Sequence, residues 1–84
     1  MKVRVLYFGE LRETVGKADE LITVGNDATV AGLIDELVAR GQPWQSALTS
    51  NEPLRVAVNQ EMASLQTALS LNAEVALFRP VTGG

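Results

Sequence analysis

Eighty-four residues with a formal net charge of -3, 46% of them hydrophobic and 20% charged, describe one domain near the lower limit at which a single apolar core folds unaided. That balance excludes a disordered adaptor, and the lack of a cationic field excludes a nucleic-acid partner. The chain has neither Cys nor His, which removes disulfides, thiolate nucleophiles, imidazole bases and most transition-metal ligands, so no metal site is expected and any chemistry falls to carboxylates, hydroxyls, lysines and the chain termini.

In chain order, Lys2 to Phe8 is rich in β-branched and aromatic residues and predicts a first strand with Val3, Val5 and Tyr7 on its core face. Gly9 ends it, Glu10 to Val15 form a short helical turn, and Gly16 suits the left-handed position after a helix. Leu21 to Val24 reads as a second strand, followed by a Gly25-Asn26 turn. Val30, Leu33, Ile34, Leu37 and Val38 follow the spacing of a helix with one buried side, predicted over about 29–41. Thr29 is its N-cap, Ala28 and Leu33 form a hydrophobic staple, and Gly41 with Pro43 stops it.

Residues 42–53 read as a loop with room for a helical turn, in which Trp44 serves as a lid over the core. Leu54 to Val58 is a third strand turning at Asn59-Gln60, Met62 to Leu65 a short strand, and Glu74 to Arg79 the last, stopped by Pro80. Strands joined through a helix and others joined by turns give an α+β fold with a mixed sheet of four to five strands. One main helix covers only one face of that sheet. Alternation therefore turns Arg4, Leu6, Phe8, Ala76 and Phe78 to the other face, and the two phenylalanines and leucine mark an interaction patch that Met62 extends. Asp35 and Glu36, adjacent on the helix, read as a solvated face, and Arg12, Lys17 and Arg79 as single surface charges. A domain this small has no length to enclose a substrate pocket, so its function should lie at an edge or a terminus.

The chain ends Pro80-Val81-Thr82-Gly83-Gly84 directly after a strand. That ending, Val5-Leu6-Tyr7-Phe8 with Leu11-Arg12-Glu13 and Val15-Gly16, Val56-Ala57-Val58-Asn59-Gln60, and Glu74-Val75-Ala76-Leu77-Phe78 together resemble the small subunit of molybdopterin synthase, within the ubiquitin-like superfamily. The resemblance spans essentially the whole chain. It departs at Arg79, where family members often carry a second proline.

The resemblance implies a ubiquitin-like β-grasp domain over residues 1–84 with a flexible tail, 80–84. It implies that an E1-like adenylating enzyme uses ATP to activate the Gly84 carboxylate, and that a sulfurtransferase or cysteine desulfurase delivers sulfur to give a thiocarboxylate. The tail, Pro80, Val81, Thr82 and Gly83 included, is then inserted into the large subunit, where the sulfur passes to cyclic pyranopterin monophosphate. The docking face would hold Leu6, Phe8, Met62 and Phe78, the assembly would be a heterotetramer, and the chain would bind no cofactor and catalyse nothing by itself. The residue chemistry agrees with such a role: adenylation supplies the leaving group that a carboxylate lacks, and residues without Cβ can follow a narrow channel. No signal peptide, polybasic anchor or membrane-spanning stretch is legible, so the cytoplasm is the expected location. A thiamin-pathway sulfur carrier, a protein modifier joined through Gly84, and a plain interaction module are the competing readings.

Overall fold

The computed structural model describes residues 1–50 and 53–80. Their elements run β1 (Lys2–Tyr7), α1 (Gly9–Val15), β2 (Asp19–Thr23), α2 (Val30–Val38), α3 (Trp44–Thr49), β3 (Arg55–Val58), β4 (Glu61–Met62) and β5 (Glu74–Phe78). The strands form one sheet in the order β2-β1-β5-β3-β4. β1 and β5 lie parallel at its centre and the other pairings are antiparallel. This is the mixed α+β sheet that the sequence predicts, completed by two short helices beside the main one.

Burial in β1 alternates as the sequence requires, with Val3, Val5 and Tyr7 inside. They pack with Leu33 and Leu37 of α2, Leu11 and Val15 of α1, Ala47 and Leu48 of α3, and Val75 and Leu77 of β5 in one apolar cluster. Each such aliphatic side chain, removed from water, stabilises the fold by about 1.5–3 kcal/mol. Among the described residues no polar or charged one is buried.

The regular run of α2 is shorter than predicted, because after Val38 the chain turns out through Arg40 and reaches a left-handed Gly41 at φ 87. The Gly41 N–H closes that turn on the Val38 carbonyl at 3.0 Å. At its start the Thr29 hydroxyl accepts from the Gly32 N–H at 3.2 Å, the predicted cap. Two further first-turn donors are satisfied from the segment after β4, Val30 N–H by the Thr67 carbonyl and Ala31 N–H by the Leu65 carbonyl, and the regular helix bonds begin with Leu33 N–H to the Thr29 carbonyl. Residues 63–73 therefore serve chiefly to tie α2 to the sheet.

Asn59 and Gln60, at φ 52 and 69, make the two-residue hairpin between β3 and β4. Asn59 also exchanges two hydrogen bonds with Glu74, its N–H donating to the Glu74 carbonyl at 2.8 Å and its Oδ1 accepting from the Glu74 N–H at 3.0 Å. This holds the hairpin against β5. β4 ends at Met62 rather than Leu65, since Ser64 and Thr67 form a side-chain-closed turn that bends the chain away.

Candidate functional site: the open sheet face and the root of the tail

All three helices lie on the core side of the sheet, and the register determines what the opposite face displays. Leu6 lies across from Ala76, Ala76 from Ala57, and Ala57 from Met62, so these four residues form one apolar row crossing β1, β5, β3 and β4. Residues directly opposite share a face, and at about 4.8 Å between strands the row spans about 14 Å. Phe78 stands one step along β5 from Ala76, across from Arg55. Phe8 extends β1 on the same face. Phe8 is 49% exposed and Met62 64%, while Leu6 and Phe78 are half-buried.

Leu6, Phe8, Met62 and Phe78 are thus gathered on one surface, as the sequence suggests. Leu21 belongs there too: it pairs with Arg4 and is 58% exposed, beside the Arg4–Asp19 ion pair of 2.5 Å that borders the patch. Its face follows from Ile22 and Val24 being core positions, a phase that the sequence reading of the second strand left unassigned. Ala57 was missed because a lone alanine in a strand carries no signal until its neighbour across the sheet is known.

Phe8 occupies the N-cap of α1 in extended conformation, φ -117 and ψ 153, and its side chain makes no cap hydrogen bond. Ser, Asp or Asn would stabilise that position better. A half-exposed phenylalanine where the helix favours a small polar residue is a departure from local preference, of the kind found where a surface serves another molecule.

β5, the strand that leads to the chain end, lies between β1 and β3, so its last residue on the open face, Phe78, is continuous with the apolar row. Arg79 and Pro80 follow, both half-buried. Arg79 alternates to the helix side, where its guanidinium donates to the Ala47 carbonyl of α3. Val81, Thr82, Gly83 and Gly84 lie outside the described residues.

A separate polar network braces the other face. The Tyr7 hydroxyl donates to Glu20 Oε2 at 2.8 Å and accepts from Trp44 Nε1 at 3.2 Å. Arg40 grips both Glu20 oxygens at 3.0 and 2.9 Å, and its guanidinium lies 4.8 Å from the Trp44 ring centroid. Burial, reinforced by the Glu20 carboxylate as acceptor, pushes the Tyr7 phenol well above the ordinary tyrosine value, so it stays a neutral donor. Trp44 is therefore a lid over the core, as expected, and it is also latched by a hydrogen bond. The network joins β1, β2, the end of α2 and α3, and it shares no residue with the open face. No helix among the described residues is long and apolar enough to cross a membrane.

Comparison with known proteins places this architecture. The chain is 38% identical to the molybdopterin synthase sulfur carrier subunit of Escherichia coli, and 35% to that of Haemophilus influenzae, each over 98% of this chain and 99% of the relative. It is 33% identical to small archaeal modifier protein 1 of Haloferax volcanii, over 92% of this chain and 94% of that protein. A crystal structure of SAMP1 from Haloferax volcanii superposes with a TM-score of 0.80 at 31% identity, covering the whole of both chains. The fold is the ubiquitin-like β-grasp of these carriers. With the ThiS family model matching residues 5–84 and sulfur carrier subunits related to it from end to end, the chain belongs to the ThiS family.

Proposed function

We propose that this protein is the sulfur-carrying subunit of molybdopterin synthase, with Gly84 as its working residue and the catalytic side chains on its partner. An E1-like enzyme spends ATP to convert the Gly84 carboxylate to an acyl adenylate. A sulfurtransferase or cysteine desulfurase presents persulfide sulfur that displaces AMP to give an acyl disulfide, and a second thiol on that partner cleaves the S–S bond, leaving a terminal thiocarboxylate and a disulfide on the partner. The loaded tail enters the large subunit and gives its sulfur to cyclic pyranopterin monophosphate. Leu6, Phe8, Met62 and Phe78 dock on that subunit, and Pro80, Val81, Thr82 and Gly83 thread the tail.

The observation that carries this reading is the end-to-end relationship to sulfur carrier subunits in a chain with no thiol or imidazole of its own. A domain so composed can move sulfur only by borrowing it, and a terminal carboxylate is the group available for activation. The apolar row beside the root of the tail supports the same reading, since a partner seated there would meet the tail as it leaves the sheet.

Intact mass measurement of the protein isolated from cells tests it. One terminal oxygen replaced by sulfur is the expected result, and only the unmodified mass during active cofactor synthesis would overturn the proposal. The relationship to small archaeal modifier protein 1 favours protein modification as the second reading. Conjugates joined through Gly84 to target lysines would distinguish it.

A further inference from the structure

Arg79 stands between the last strand and the tail, at the position where the family resemblance leads one to expect proline. Its guanidinium donates to the Ala47 carbonyl in α3, a six-residue helix whose final carbonyls have no partner within the helix. A cation near a helix C-terminus is favourably placed, and a charge-assisted hydrogen bond is among the stronger neutral-pH contacts. Around it lies an open cleft of about 260 Å3 between α1 and α3, lined by Glu10, Leu11, Thr14, Ser46 and Ser50. Pro80 then restricts the next backbone angle. The root of the tail is thereby fixed by a side-chain tether at one residue and by a ring at the next.

We propose that Arg79 is a positioning residue: its hold on α3 aims the root of the tail and lowers the ordering cost of inserting it into the activating enzyme. A second proline would do this through the backbone, and arginine does it through a side chain anchored on a neighbouring helix. The inference rests on the sulfur-carrier reading. It predicts that two chemically unlike residues, arginine and proline, are interchangeable here, whereas alanine is inferior to both.

The test is steady-state thiocarboxylate formation with full-length Arg79→Ala, Arg79→Pro and Arg79→Lys, together with their melting temperatures. Arg79→Ala should raise KM for the carrier by about tenfold with kcat unchanged, the size expected when the backbone of one residue must be ordered anew on insertion. Arg79→Pro should restore KM to near the original value. Three outcomes overturn the inference: an unchanged KM in Arg79→Ala, a rise that only tracks lost thermal stability, or rescue by lysine and not proline, which would assign Arg79 to an acidic surface on the partner. A second readout needs no partner. The 13Cα order parameter of Pro80 in the free chain should fall in Arg79→Ala and recover in Arg79→Pro, and no change would refute the tether. If the original protein cannot be loaded with sulfur at all, the carrier reading fails, and the relaxation data still decide what Arg79 does.

Discussion

Replacing Phe8 by aspartate separates docking from folding, because Phe8 is half-exposed and also caps α1 poorly. Full burial of a phenylalanine is worth about 1.5–3 kcal/mol, so losing a half-buried one costs roughly 1 kcal/mol. Against that, an aspartate N-cap stabilises a helix by about 0.5–2 kcal/mol, and its charge favours the helix start. The two nearly cancel. The free domain should melt within about 6 °C of the original protein, given that 1 kcal/mol moves a domain of this size by about 4–8 °C. Binding is a different matter, since a carboxylate forced into a desolvated apolar contact costs about 2 kcal/mol or more, a loss of about 30-fold in Kd. Calorimetric titration with the large subunit, beside a thermal melt of the free protein, measures both. A melting point lowered by far more than this, or undiminished affinity, would refute the placement of Phe8 on a docking face.

The neighbouring core position should behave in the opposite way. Leu77→Ala, at a fully buried site of β5, should destabilise the domain by about 2–5 kcal/mol in urea unfolding, and affinity should fall only as the folded fraction falls. For the brace, the Tyr7 phenol has a folded value above the unfolded value near 10, so its neutral form is favoured in the fold. Its contribution is complete below about pH 10 and is lost as pH rises through the folded value. Tyr7→Phe should lower stability at neutral pH by about 1–3 kcal/mol, because Trp44 Nε1 loses its acceptor, and should flatten the alkaline decline of the unfolding free energy. An equally steep decline in the variant would show that Tyr7 is not its source.

The parts of this fold that were legible in the sequence are those governed by local periodicity. β1 alternates because its own residues must serve a core face and an open face at once, and α2 repeats its apolar positions because a single side of it is buried. What stayed hidden depends on residues far apart. α3 buries only Ala47 and Leu48 completely, too few to make a periodic signal. β4 is two residues long and exists through its pairing with Ala57 and Val58. The join between Tyr7, Glu20, Arg40 and Trp44 links four elements that nothing in the linear order brings together. In the site, Leu6, Phe8 and Phe78 follow from strand phase alone. Leu21 required the phase of β2, Ala57 required the register, and the reach of Arg79 to α3 required three dimensions.

The role given to Gly84 is tested most directly by removing it. A chain shortened by that one glycine should keep its melting temperature, since removing a single residue at a chain end generally costs little stability, and it should still bind the large subunit through the open face. It should yield no dithiolene when supplied with the activating enzyme, ATP, a sulfur source and cyclic pyranopterin monophosphate. Undiminished dithiolene formation from the shortened chain would contradict the account.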